Sequence, residues 1–180
     1  MTGSFRQALR ALLAAPRLAA IAAGLALGLS ATPAHADDPD YLTFGLGYFD
    51  FDDDDGAAEF RLEYRSNWKL WVFKPFSGLL VTSDSAVYPH AGLLFDLYFG
   101  NRLVLTPSFA VGYFSDGNGK ELGADIEFQS RLELAYRFDN RSRLGLAVSH
   151  ISNAGIDDVN PGANSVSMYY SVPFRVFTGR

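Results

Sequence analysis

From Tyr41 onward, apolar and polar side chains alternate with a period of two. That period belongs to strands, because successive strand residues point to opposite faces. Punctuation by Gly, Asn, Asp and Ser divides the run into eight predicted strands: 41–51, 58–65, 70–82, 86–99, 102–114, 121–138, 143–152 and 164–174. The third is interrupted at Pro75, and Gly100-Asn101 is a tight hairpin turn. The second strand sets Glu59, Arg61, Glu63 and Arg65 against Phe60, Leu62 and Tyr64. The sixth sets Asp125, Glu127, Gln129, Arg131 and Glu133 against Ile126, Phe128, Leu132 and Leu134.

Alternation alone fits a soluble sandwich as well as a membrane barrel. Length separates them: the predicted 121–138 strand far exceeds the usual soluble strand of about five or six residues. An even number of long antiparallel strands predicts an all-β fold, an eight-stranded transmembrane β-barrel. Its apolar faces meet lipid and its charged faces fill the lumen, where acids and arginines of the second and sixth strands pair. A soluble periplasmic sandwich is the weaker alternative, distinguished by whether extraction needs detergent.

The first 36 residues change the picture by adding an address. Arg6, Arg10 and Arg17 precede the apolar run Leu18–Leu29, and Ala34-His35-Ala36 has the form of a cleavage site. This order predicts a secretory signal peptide over 1–36 and a barrel domain over 37–180. The formal net charge is −5, and loss of the three arginines makes the remainder more acidic still, which argues against a nucleic-acid partner. There are no cysteines, and the three histidines are scattered, so neither a metal site nor a cofactor is expected. Asp52–Asp55 reads as a solvated loop rather than a calcium site. With both termini in the periplasm, the 66–67, 100–101 and 139–140 turns fall on the periplasmic side, and the longer loops, 153–163 among them, fall outside.

The reactive side chains concentrate in 150–165. His150 and Ser152 lie two apart at the end of the seventh strand, on the parity of Leu144, Leu146 and Val148, so both face outward. A base beside a hydroxyl is the minimum needed to make serine a nucleophile. Asn164 shares the outward parity of Val166, Met168 and Tyr170 on the eighth strand. Asn153, Gly155 and Asn160-Pro-Gly162 are also what plain turn chemistry would use.

The pieces His150-Ile-Ser152-Asn153-Ala-Gly155 and Asn160-Pro-Gly162 resemble the active-site segment of the lipid A 3-O-deacylase (PagL) family of outer-membrane acyl hydrolases. The resemblance runs through nearly the whole chain after residue 36 in strand order. It implies a serine esterase that removes the 3-O-linked acyl chain of lipid A from lipopolysaccharide in the outer leaflet. It further implies Ser152 as nucleophile and His150 as general base, with Asn153 at a position needed for activity. Asn160, with backbone N–H groups near Ala154 and Gly155, would serve an oxyanion. This chain departs from the pattern at Asn164, where the family has glutamate. An asparagine still accepts a hydrogen bond from imidazole but brings no negative charge. Asp157 or Asp158 would substitute if their loop folds over His150. A non-catalytic structural or lipopolysaccharide-binding barrel of the same descent is the competing expectation.

Overall fold

A computed structural model describes residues 38–53 and 56–178; the expected signal peptide lies outside the described residues. Among these residues nine strands form: β1 Tyr41–Phe49, β2 Ala57–Arg65, β3 Lys74–Thr82, β4 Val87–Leu94, β5 Leu97–Phe99, β6 Leu103–Tyr113, β7 Ile126–Arg137, β8 Arg143–Ser152 and β9 Ala163–Pro173. A single turn of helix, α1 Arg175–Thr178, follows. Every pairing is antiparallel. β4 and β5 both pair with β6 in one unbroken register, Leu94 against Ser108 and Leu97 against Leu105, so they are two parts of one strand. β1 pairs with β2 and with β9, and β4 closes on β6, which makes a ring of eight strands in which the short β5 is paired on one side, by β6.

The facing follows the predicted parity. Arg61 is fully buried while Leu146 is 64% exposed. A band of Leu, Val, Phe and Tyr side chains from β1, β2 and β6–β9 lies outside, far more apolar surface than a water-soluble monomer presents. The lumen holds the charges. Arg65 pairs with Glu63 at 3.0 Å and Glu133 at 2.8 Å, and Arg61 with Glu59 at 2.9 Å. Arg131 reaches Glu63 from the opposite wall and the Tyr169 hydroxyl at 2.9 Å. Toward the N-terminal end, Arg143 meets Asp38 at 2.9 Å and Asp96 at 3.0 Å, and Lys74 contacts both acids. The expected pairing between the second and sixth predicted strands is therefore realised as Arg65–Glu133 and Glu63–Arg131.

Three boundaries differ from the sequence expectation. The predicted 121–138 strand begins only at Ile126, so Asp125 is an exposed loop residue and not a lumen charge. Residues 121–125 keep the alternation without a neighbouring strand to pair with, and twelve residues of β7 still suffice to cross a bilayer. The third strand starts at Lys74, which lengthens the expected 66–67 turn to an excursion over 66–73 closed by a Leu70–Phe73 bridge. The fourth breaks at Phe95-Asp96, where Asp96 turns into the lumen to take hydrogen bonds from Thr106 at 2.6 Å and Arg143.

Candidate active site

β8 carries His150 to the end of the barrel opposite Asp38, with its imidazole exposed on the outer wall as parity predicts. Its ladder partners are Ser130 on β7 and Asn164 on β9. Because Asn164 stands directly across, its Oδ1 lies 2.8 Å from His150 Nδ1. Nε2 is thereby left as the nitrogen free to exchange a proton. Ser152 continues the outward parity and is half-buried. No hydrogen bond joins it to His150 among the described residues.

The β8–β9 loop is built around Asn153, which is completely buried. Its Nδ2 donates to Val159 O at 2.8 Å and to Leu122 O at 3.1 Å, and its Oδ1 accepts from Gly155 N at 2.9 Å. Asn153 is therefore a brace that ties this loop to the β6–β7 loop. Both amide hydrogens are taken, and none remains for an oxyanion. The Gly155 N–H, expected to face an oxyanion, is likewise taken by Asn153. Ala154 and Gly155 both have positive φ, 56° and 80°, and Ile156 N donates to Asn153 O, so this segment is a tight turn. Asn160 Oδ1 accepts from Asn153 N at 3.1 Å, which points its amide nitrogen away from the brace and leaves a donor available. Gly162 has φ 66°, and a Cβ there would lie 2.8 Å from His150 Cε1 and 3.3 Å from Nε2. The glycine keeps open the imidazole edge that has to meet a hydroxyl.

The β1–β2 loop supplies a group that sequence reasoning missed. Asp52 Oδ2 accepts from Asn164 Nδ2 at 2.7 Å, which extends the row His150–Asn164 to a carboxylate. Its turn is fixed at several points. Phe51 N donates to Asn164 O at 3.0 Å, and Lys120 Nζ reaches Asp50 at 2.7 Å and Asp53 at 3.1 Å. Burial works against the Lys120 charge, but the hydrogen bonds to Asp50 and Asp53 outweigh it and hold its pKa above the ordinary lysine value. Asp157 and Asp158 do not take the expected place beside His150. Asp157 caps its own loop by accepting from Val159 N at 3.0 Å, and neither is hydrogen-bonded to His150 among the described residues. Nor do any three His, Cys, Asp or Glu side chains come together as metal ligands among them.

A groove of about 430 Å³ opens beside His150 on the outer wall. It is bordered by Phe51, Pro107, Ser130, Leu132 and Val148, with His150 and Asn164 among its lining. Ser130 and Pro107 cause the depression, since the outward positions around them carry Leu, Val or Phe. An imidazole with one nitrogen held and one free, next to an apolar trough, is suited to proton transfer on a molecule that has a hydrocarbon chain.

Comparison with known proteins bears on this geometry. A family model described as Lipid A 3-O-deacylase (PagL) matches residues 55–173. The lipid A deacylase PagL of Bordetella bronchiseptica is 30% identical over 83 residues, 45% of this chain and 47% of that protein. That of Pseudomonas aeruginosa is 33% identical over 54 residues, 30% of this chain and 31% of that protein. The chain thus spans less than half the length of these curated relatives. The crystal structure of the outer membrane enzyme PagL superposes with a TM-score of 0.57 at 18% identity, covering 74% of this chain and 99% of that one. Neisserial surface protein A superposes with a TM-score of 0.55 at 10% identity, covering 75% and 97%. At these identities the structural likeness establishes the fold, an outer-membrane-type eight-stranded barrel.

Proposed function

The chain belongs to the lipid A 3-O-deacylase (PagL) family, and from that premise we propose that it is an outer-membrane serine esterase. It hydrolyses the 3-O-linked acyl ester of lipid A in the outer leaflet, after export directed by residues 1–36. The observation that carries the reading is His150. It stands on the outer wall with Nδ1 engaged by Asn164, and it borders a mostly apolar groove of about 430 Å³. Ser152 Oγ attacks the ester carbonyl while His150 Nε2 takes its proton. The sugar alcohol then leaves with that proton, and water, deprotonated by the same nitrogen, releases the 3-hydroxy fatty acid from the acyl-serine. The Asn160 amide stabilises the oxyanion.

Mass spectrometry of lipid A from cells expressing the protein tests this. The wild type removes one 3-hydroxyacyl group, and the Ser152→Ala variant, folded in the membrane, does not. Asparagine in place of an acid at 164 favours a second reading, a lipopolysaccharide-binding barrel without activity. An unchanged lipid A profile for wild type and variant alike would select it.

A further inference from the structure

We propose that Asp52 is a positioning residue that sets the proton arrangement of His150 through Asn164. This rests on the serine-esterase reading and explains how the site works without an acid at 164. An ionised carboxylate only accepts hydrogen bonds. Asp52 Oδ2, 2.7 Å from Asn164, therefore requires the amide nitrogen on its own side. The amide oxygen must then face the imidazole, where it stands 2.8 Å from Nδ1. That oxygen can only accept, so Nδ1 carries the ring proton and Nε2 keeps the lone pair that takes the Ser152 proton.

Asparagine alone does not impose this order. Its oxygen and nitrogen are close in size, so a half-turn of the amide would offer an N–H to Nδ1 instead. The ring would then carry its proton on Nε2 and have no lone pair for the serine. The directly bonded glutamate implied by the family needs no such arrangement, because both its oxygens accept. Here the acceptor function and the negative charge are divided. Asn164 on β9 supplies the first, and Asp52, 112 residues away in the chain, supplies the second. The β1–β2 turn is built to hold it, through the Phe51–Asn164 backbone bond and the Lys120 clamp on either side of Asp52.

Two measurements on the full chain in detergent micelles test the proposal. The first needs no activity. Nitrogen-15 NMR of labelled histidine, assigned by difference against His150→Gln, reads which ring nitrogen is protonated when the ring is neutral. The wild type shows the Nδ1–H form. Asp52→Leu, near in size but without an acceptor, shows a mixture with Nε2–H, and Asp52→Asn, which can still accept, shifts less. The second is kinetic. Asp52→Leu lowers kcat at least about tenfold with KM within about twofold, short of the ~10⁴ loss when a directly bonded triad acid becomes an amide. In an Asn164→Glu background the same substitution changes kcat by less than about twofold. A ring that stays Nδ1–H in Asp52→Leu overturns the proposal, as does an equal kcat loss in both backgrounds. If the wild type releases no fatty acid, the esterase reading fails, and the NMR result still decides the role of Asp52. If Ser152-dependent release persists while neither readout moves, Asp52 alone is wrong.

Discussion

Asn153→Asp separates a bracing role from a catalytic one with almost no change of shape. The side chain is fully buried and donates to two carbonyls, Leu122 O and Val159 O, while accepting from Gly155 N. The aspartate keeps the acceptor and loses both donors, which leaves two carbonyls unpaired and facing a carboxylate. A buried polar group left without a partner costs about 1–3 kcal/mol. Val159 is itself exposed and its carbonyl is partly rescued by water, so the total is about 2–3 kcal/mol. At 1.4 kcal/mol per factor of ten, the open form of the loop should become roughly 30- to 140-fold more populated. Hydrogen exchange at the Ile156 amide, which closes the turn onto Asn153 O, reads this directly and should accelerate by that factor. Deacylation should fall in parallel, since the same loop carries Asn160 and Gly162. If Asn153→Asp exchanges like the wild type at Ile156 yet loses activity, the brace is refuted and Asn153 acts on the substrate.

Two further outcomes follow from the geometry. Gly162→Ala places a methyl group 2.8 Å from His150 Cε1 at a φ of 66°, so kcat should drop at least about tenfold while the left-handed backbone costs about 1–2 kcal/mol; unchanged kinetics would show that the imidazole edge is not needed. Glu63→Gln removes the acid shared by Arg65 and Arg131 and should destabilise the barrel by about 3–5 kcal/mol in urea unfolding from liposomes, with part of the loss recovered when Arg131→Met is added.

Parity along the strands was readable because one residue of slip would turn every charge toward lipid. Facing and the placement of His150, Ser152 and Asn164 follow from it, while the strand count came from the turn residues between strands. The ends of strands were not readable in the same way. Glu121–Asp125 alternate like a strand, yet only a neighbour to pair with makes one, and the β7–β8 ladder starts at Phe128–Ser152. Asp52 was hidden in a run of four aspartates whose plain meaning is a solvated loop. What brings it to Asn164 is the β1–β9 register, Phe49 against Ser165, followed by the left-handed Asp50. Asn153 looked like any turn asparagine, because no local pattern records that Leu122 and Val159 would both lie within reach of one amide.

The inverted dressing of this barrel constrains its route to the folded state. Half a cylinder would present Glu63, Arg65, Arg131 or Glu133 to hydrocarbon without their counterparts, and a closed cylinder in water would present its greasy girdle to solvent. Neither halfway species is a resting place, so wrapping and entry into the bilayer must proceed as one cooperative event, and until then the unfolded polypeptide needs an escort that keeps it from clumping.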